Sequence, residues 1–186
     1  MIVILSGVSG AGKDTIKRIL MGKDGRIKTL PSYTTREKRV NEIEGQNYYY
    51  VSKEKFKEMI DNNEFYEYSV HHGNYYGTNK KLLNERIKNN IVLKDIDVNG
   101  TEDLLKIFRG TEIKIISIFL NISKEEMLRR LENRDDKLKQ EEIELRMNRY
   151  DYEMNHIGIY DYVIKNYDAE KTSNIILDII KREQEK

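Results

Sequence analysis

The sequence contains 186 residues, 35% of them charged, and its formal net charge is +1. This length suits one domain with a sizeable core, and the balanced charge gives no global field that would favour nucleic acid or an anionic membrane as a partner. The absence of cysteine excludes disulfides, thiolate metal sites and a cysteine nucleophile. No apolar run has the length of a signal peptide or a membrane span, so we expect a cytoplasmic protein.

Short strand-like runs alternate with longer helical ones along the chain. The first run, IVILSG, predicts a buried strand; a glycine-rich turn and a helix through TIKRILMG follow, and then a short strand IKTL that Pro31 helps to end. The later predicted strands are NYYYVS, EFYEYSV, IVLKDID, IKIISIFL and YVIKN. The later predicted helices are KEKFKEMIDNN, NKKLLNERIKNN, GTEDLLKIF, SKEEMLRRLENR, QEEIELRMNRYDYEM and EKTSNIILDIIKREQEK.

This alternation predicts an α/β fold. Hydrophobic strands that are each followed by a helix indicate a parallel sheet covered on both faces. The tyrosine-rich stretch from about Tyr48 to Tyr76 breaks the rhythm and indicates a small β-rich insertion. We therefore expect one α/β domain with an insert.

A phosphate-binding loop follows the first predicted strand. Gly7, Gly10, Gly12 and Lys13 fit the first seven positions of the pattern GxxxxGK[ST], and the loop opens a helix as that pattern requires. Glycines let backbone N–H groups converge on phosphate oxygens, and the helix N-terminus adds its positive end. Lys13 would then neutralise charge on the β and γ phosphates of a nucleotide.

Asp14 occupies the position where the pattern has Ser or Thr, and Thr15 follows it. A carboxylate would repel phosphates unless it faced away or held hydrated magnesium. The sequence therefore indicates a variant phosphate loop in which Thr15 supplies the hydroxyl.

A second anion site is indicated in the stretch SYTTREKRVNEIEGQNYYYVS. Arg36 and Arg39 are followed by Tyr48, and two guanidinium groups with a phenol can hold one phosphate by charge-assisted hydrogen bonds. A solvated charged loop is the alternative for this stretch considered alone.

The same stretch resembles the guanylate kinase signature Ser-x-Thr-Thr-Arg-x-x-Arg-x-x-Glu, followed by Gly-x-x-Tyr and Val-Ser. NNEFYEYSVHHGNYYGT, DIDVNG, RLENR and YDYVIKN continue the match in order, from Leu5 to Asn166. The resemblance implies a P-loop NTPase-like parallel-sheet core (1–31, 79–128 and 156–186), a β-rich NMP-binding insertion (32–78) and a helical lid (129–155).

The resemblance also implies roles for individual residues. The residues that match the holders of the GMP phosphate are Arg36, Arg39, Tyr48 and Tyr76, and those that match the readers of guanine are Ser32, Glu67, Thr78 and Asp97. The ATP-binding set is Gly7, Ser9, Gly10, Ala11, Gly12, Lys13, Asp14, Thr15, Arg130, Arg134 and Asn166, and the catalytic set is Lys13, Arg36, Arg134 and Arg146. In these roles hydroxyls donate to guanine O6, carboxylates accept from N1–H and N2–H, lid arginines close over the ATP phosphates, and Asn166 lies beside adenine.

Two carboxylates end the predicted strand IVLKDID. Asp95 and Asp97 point to the same face, and ligands of α/β sheets gather at the carboxyl ends of strands. By its resemblance to the family, Asp97 is expected to contact guanine. Asp95, like Asp14, is a candidate for holding Mg²⁺ through water, and no direct protein ligand to the metal is expected.

The expected reaction is transfer of phosphate from ATP, with Mg²⁺, to GMP and dGMP. One alternative is a kinase for another purine or modified nucleoside monophosphate, and a second is an inactive binding module of the same fold. Retention of Lys13, Arg36, Arg39, Arg134 and Arg146 argues against the second alternative. ATP and GMP are the expected partners, without nucleic acid or membrane, and the oligomeric state is left open.

Overall fold

The computed structural model describes residues 1–40, 42–71, 73–133 and 140–186. The chain divides into two compact units. The first unit comprises Met1–Ile2 and Arg26–Ile115, and the second comprises Val3–Gly25 and Ile116–Lys186.

Strands and helices alternate along most of the described chain. In order, the strands are β1 (Ile2–Gly7), β2 (Ile27–Thr29), β3 (Ser32–Thr34), β4 (Tyr48–Tyr50), β5 (Phe65–His71), β6 (Asn74–Asn79), β7 (Ile91–Asp95), β8 (Ile115–Asn121) and β9 (Tyr162–Lys165). The helices are α1 (Lys13–Lys23), α2 (Lys53–Asp61), α3 (Lys80–Ile87), α4 (Val98–Phe108), α5 (Lys124–Glu132), α6 (Gln140–Asn155) and α7 (Ala169–Glu185), with a 3₁₀ turn at Ile157–Ile159.

The second unit is built on strands in the order β1, β8, β9. Strand β9 runs parallel to β8, with Ile118 opposite Tyr162, and every residue of β1 is buried. A strand that is apolar along its whole length is typical of a parallel sheet covered on both faces. Helices α1 and α7 pack on each other in this unit.

The first unit contains a parallel strand pair and a separate mixed sheet. Strand β2 pairs in parallel with β7, with Ile27 opposite Ile91. The mixed sheet has the order β4-β3-β6-β5, in which β3 is parallel to β4 while β6 is antiparallel to both β3 and β5. This sheet carries a second set of polar side chains.

A small apolar cluster supports the mixed sheet. Phe56, Met59 and Phe65 are buried together, and the rings of Phe56 and Phe65 stack with centroids 4.5 Å apart. A Cβ atom added at Gly77 would lie 2.8 Å from Phe65 and 2.9 Å from Phe56. Only glycine lets β6 approach these rings so closely, because any side chain there would collide with them.

Side-chain caps explain where several helices begin. Ser52, Asn79, Asp97, Ser123 and Asp168 each accept a hydrogen bond from the backbone N–H three residues later, at the starts of α2, α3, α4, α5 and α7. These are the residue types that satisfy otherwise unpaired N–H groups at a helix start.

The α/β fold class and the expected parallel core strands are confirmed. Strands β3 and β6 were not predicted: β3 has only three residues, and β6 contains Asn and Gly, which are rare in strands. The division into core, NMP-binding region and lid stays a prediction. None of the helices in the described part of the chain has the length and apolar character needed to cross a membrane.

Candidate active site

The phosphate loop of the second unit has the geometry that its sequence predicts. It connects β1 to α1, and Ala11 N closes its turn by donating to Val8 O at 3.1 Å. Gly12 has a φ of 89°, and a Cβ atom there would lie 2.8 Å from Asn166 Nδ2. Glycine is required at this position by both backbone conformation and space.

The Lys13 side chain contacts the backbone of this loop. Its Nζ donates to Gly7 O at 2.7 Å and lies 3.4 Å from Val8 O. An ammonium at the start of a helix adds to the positive end of the helix dipole, so the loop concentrates positive charge where phosphates would bind.

Two arginines from α5 and α6 reach the phosphate loop. Arg130 donates to Gly10 O at 3.2 Å and to Asn166 O at 3.0 Å, and Arg146 donates to Ser9 Oγ at 2.7 Å. Hydrogen bonds from Arg129 and Arg130 lower the pKa of Glu126 to about 2, so this carboxylate stays ionised and anchors Arg130. The described structure thus brings two of the three predicted arginines to the loop. Arg134 lies outside the described residues.

Asn166 connects the end of β9 to the phosphate loop. Its Nδ2 donates to Ala11 O at 2.7 Å, and its backbone N donates to Asn121 O at 2.8 Å. The residue is 3% exposed, and its Oδ1 has no hydrogen-bond partner among the described atoms. A buried acceptor of this kind costs free energy unless a ligand satisfies it, which fits a residue beside a purine base.

Asp14 and Thr15 lie exposed on the first turn of α1. The Asp14 carboxylate forms an ion pair with Lys17 at 2.7 Å, and its side chain is 95% exposed. No group of three or more His, Asp or Glu side chains within the described ranges could hold a metal ion by itself. A single exposed carboxylate such as that of Asp14 fits Mg²⁺, which keeps several waters and is usually held by one or two carboxylates together with nucleotide phosphates.

In the first unit, Arg36, one of the residues expected to hold the acceptor phosphate, pairs with Glu42. Arg36 Nη2 lies 2.7 Å from Glu42 Oε1, while Glu42 Oε2 accepts from Arg39 N at 2.9 Å and from the Tyr50 hydroxyl at 2.8 Å. Although partial burial opposes ionisation, these donors lower the pKa of Glu42 to about 2. Glu42 is part of the signature but had been given no role; the structure shows that it organises the arginine segment.

Aromatic rings surround the Arg36 guanidinium. Its carbon lies 5.2 Å from the Tyr48 ring centroid and 5.9 Å from that of Tyr50. Tyr48 and Tyr76 pack edge to face at 5.9 Å. Three of the four predicted phosphate holders therefore lie together, whereas the side chain of Arg39 is exposed.

Glu67 is a buried carboxylate on β5. It is 7% exposed, and its Oε1 accepts a short hydrogen bond from the Thr78 hydroxyl. Burial raises the pKa of Glu67, and the positive charge of Lys94 opposes that rise. Glu67 is not an exposed strand charge, because the alternation of side chains along β5 turns it inward.

Lys94 is buried behind Ser32 and was missed by sequence reasoning. It is 1% exposed on β7, and its Nζ donates to Ser32 Oγ and to Leu30 O. Lysine is rarely buried, and its partners here come from a distant part of the sequence, so the residue pattern gave no sign of its contacts. Asp95, which follows it, is half-buried at the strand end.

Asp97 caps the start of α4 and contacts His71, which was not among the predicted site residues. Its Oδ1 accepts from Gly100 N at 2.9 Å, and its Oδ2 lies 2.7 Å from His71 Nε2. The same nitrogen lies 3.0 Å from Ser69 Oγ. The signal was available, since His71 is two and four residues from Ser69 and Glu67 and therefore shares their face of β5.

The polar groups of the first unit can recognise a purine that presents both a carbonyl oxygen and N–H donors. Ser32 offers a hydroxyl, and Glu67 and Asp97 offer carboxylates. The second unit offers a loop, a lysine and two arginines for polyphosphate. Together they provide the groups needed to bind a nucleoside triphosphate and a purine monophosphate.

Comparison with known proteins agrees with this chemistry. The family model described as guanylate kinase matches residues 1–183. A guanylate kinase from Prochlorococcus marinus subsp. pastoris is 40% identical over 182 residues, which cover 97% of this chain and 96% of the relative. One from Helicobacter pylori is 38% identical over 184 residues and covers 97% and 86%.

A solved structure gives the same result. The crystal structure of guanylate kinase from Anaplasma phagocytophilum matches with a TM-score of 0.80 and 31% identity, over 100% of this chain and 87% of that one. At this identity and coverage both sequence and fold are shared. The chain therefore belongs to the guanylate kinase family, a family of nucleotide-binding phosphotransferases.

Proposed function

We propose that this chain phosphorylates GMP, and also dGMP, with ATP, giving ADP and GDP or dGDP. The observation that carries this proposal is the buried Glu67 carboxylate held by Thr78. Guanine presents N1–H and a 2-amino group that a carboxylate can accept. Adenine presents neither, so its binding would leave a buried carboxylate unpaired.

The donor nucleotide would be held by the second unit. Backbone N–H groups of the phosphate loop and the N-terminus of α1 would bind its phosphates, and Lys13 would carry charge that develops on the transferred group. Arg130 and Arg146, anchored at Gly10 and Ser9, would add two more positive groups. Arg134 remains part of the proposed set on the family resemblance alone.

Mg²⁺ with ATP would neutralise phosphate charge when bound. Asp14 is the carboxylate that we assign to its hydrated shell, with Asp95 as the other candidate, and Thr15 would donate its hydroxyl to the nucleotide phosphates. Their role is to orient water and phosphate oxygens, while the acceptor is held elsewhere in the chain by its own residues.

The acceptor phosphate would be held by Arg36, Arg39, Tyr48 and Tyr76. Arg36 is already oriented by Glu42, so little side-chain entropy would be lost when it binds phosphate. No protein nucleophile is required, because a phosphate oxygen of GMP attacks the γ-phosphorus of ATP in line and the bond to the β-phosphate oxygen breaks. The protein contributes positioning and charge stabilisation.

An ADP-release assay with ATP and a panel of acceptors tests the proposal. GMP and dGMP should be phosphorylated, and AMP, CMP and UMP should be poor acceptors. We expect the preference of GMP over AMP to be at least tens-fold, since an unpaired buried carboxylate costs about 1–3 kcal/mol. Equal turnover of AMP and GMP would exclude the proposal that these residues select guanine over adenine.

Two other outcomes identify the alternatives. Faster turnover of IMP than of GMP would indicate a kinase for another purine monophosphate. Binding of GMP by calorimetry without transfer from ATP would indicate a binding module.

A further inference from the structure

We propose that Lys94 is a positioning residue for the 6-position of the purine: it directs the Ser32 hydroxyl and adds positive charge on that side, so the acceptor must carry an oxygen there. This inference rests on the proposed function, because it places Ser32 at guanine O6. It assigns a specificity role to a residue outside the phosphate-holding and guanine-reading sets described above.

The burial of Lys94 is the first argument. Its side chain is 1% exposed in β7, whose residues from Ile91 to Leu93 are also buried. Burying an ammonium carries a large desolvation cost unless hydrogen bonds and negative charge compensate it, whereas an apolar side chain would pack there without that cost. A lysine that is retained in such a place is best explained by the groups that it contacts.

The direction of the hydrogen bond is the second argument. An ammonium has only donors, so Ser32 Oγ must act as the acceptor from Lys94 Nζ. The single hydroxyl hydrogen of Ser32 then points away from Lys94. A hydroxyl held in this way keeps its hydrogen available to the base, and although its second lone pair could accept from an amino group, the ammonium beside it favours a carbonyl oxygen.

The contrast with Thr78 strengthens this assignment. The Thr78 hydroxyl donates to Glu67, so its hydrogen is already used by a carboxylate. Of the two hydroxyls assigned to guanine O6, Ser32 is the one whose hydrogen-bond geometry leaves it as a donor to the base.

The charge of Lys94 is the third argument. Burial raises the pKa of Glu67, and the negative charges of Asp97 and Asp103 on α4 raise it further, whereas Lys94 on β7 and the hydrogen bond from Thr78 lower it. Lys94 therefore helps to keep Glu67 ionised, as an acceptor for N1–H and the 2-amino group. Lys94 thus favours recognition of the purine both at position 6, through Ser32, and at N1–H and the 2-amino group, through Glu67.

Purine analogues test this inference at the level of single atoms. GMP and 6-thio-GMP differ only in the atom at position 6, where sulfur is the weaker acceptor, and GMP and IMP differ only in the 2-amino group. Binding is measured by calorimetry, which does not depend on transfer, and turnover is measured separately. Lys94→Met removes donor and charge, and Lys94→Gln keeps a neutral donor. Lys28→Met, at an exposed lysine of β2, is the matched control.

We expect Lys94→Met to weaken GMP binding about tenfold or more, because one charge-assisted hydrogen bond is lost. The preference for GMP over 6-thio-GMP should fall by a similar factor. At a pH well above the acid loss of binding, where Glu67 is ionised in both parent and variant, the GMP-to-IMP binding ratio and ATP binding should stay within about twofold of their parent values. Lys94→Gln should keep part of the preference. Ser32→Ala should lose the same preference, and the Ser32→Ala Lys94→Met double variant should lose no more of it than Lys94→Met alone.

A pH profile separates this role from a purely structural one. Without Lys94 the pKa of Glu67 should rise further. As the pH is lowered, the variants should therefore lose GMP binding at a higher pH than the parent does. Unchanged GMP/6-thio-GMP preference and an unchanged acid limb in both folded Lys94 variants would overturn the inference. If thermal melting shows that Lys94→Met is not folded, the Lys94→Gln and Ser32→Ala variants test the inference instead. If the parent binds GMP but transfers no phosphate, the proposed reaction is wrong. The ratio of GMP to 6-thio-GMP affinity would still test the role of Lys94, because it does not depend on transfer.

Discussion

Arg36 Nη2 and Glu42 Oε1 lie 2.7 Å apart, and the second oxygen of Glu42 holds the backbone N of Arg39 and the hydroxyl of Tyr50. One carboxylate thus joins both arginines expected to hold the acceptor phosphate. The arrangement explains why a segment with consecutive charged residues has a defined conformation.

The first prediction concerns the binding role of Glu42. Glu42→Gln removes the charge that orients Arg36, so we expect the KM for GMP to rise about 5–50-fold, the range for loss of a charge-assisted hydrogen bond, with the KM for ATP nearly unchanged. Steady-state kinetics with each substrate varied in turn measures this. Glu44→Gln, at an exposed residue of the same segment, is the control. If Glu42→Gln lowered the KM for GMP, the carboxylate would be a competitor of the phosphate and not its organiser.

The second prediction concerns acid stability. The folded pKa of Glu42 is about 2, below its ordinary value of 4.5. A depressed carboxyl pKa contributes stability that is fully present above the unfolded pKa and is lost as the pH falls through the folded one. The melting temperature of the parent should therefore exceed that of Glu42→Gln near neutral pH, and the difference should shrink as the pH falls from 4.5 towards 2. A difference that is constant with pH would show that the pair does not stabilise the folded state through its charge.

Much of the fold follows from local sequence. The buried run of β1, the phosphate loop and the start of α1 are contiguous, so spacing alone identifies them. Likewise, Glu67 turns inward because a strand alternates its faces. These features require no knowledge of distant contacts.

The missed features depend on partners that are remote in the sequence. Lys94 contacts Ser32, 62 residues away, and His71 contacts Asp97. The pattern predicts that this strand is covered on both faces, but nothing near Lys94 shows which group would accept its hydrogen bonds. The short strand β3 exists because β4 and β6 flank it, and three residues carry too weak a pattern to predict it alone.

The third prediction separates donor residues from acceptor residues. Arg36→Ala should weaken GMP binding and leave ATP binding nearly unchanged, and Arg39→Ala should do the same to a smaller extent because its side chain is exposed. Lys13→Ala should reduce transfer by about a hundredfold or more, since it removes charge stabilisation from the transferring group. Titration of each variant with each nucleotide measures the separation. Loss of ATP binding with retention of GMP binding in Arg36→Ala would reverse the assignment of the two sites.

The last prediction concerns the variant position of the phosphate loop. Asp14 is 95% exposed and paired with Lys17, and Thr15 lies beside it on the first turn of α1. An exposed i,i+3 ion pair contributes little to stability, so Asp14→Ser should fold normally and remain active, with an altered dependence on Mg²⁺ because a hydrated carboxylate contact is replaced by a hydroxyl.

Thr15→Val should be the more damaging change, because it removes the hydroxyl and keeps the shape. We expect kcat/KM for ATP to fall about tenfold, the value of one hydrogen bond to a charged group. Lys17→Met is the matched control, since it breaks the Asp14 ion pair without changing either candidate ligand. Magnesium titrations of all three variants distinguish the roles. An inactive Asp14→Ser variant beside a fully active Thr15→Val variant would mean that the carboxylate itself is essential, and that its side chain leaves Lys17 when the nucleotide and metal bind.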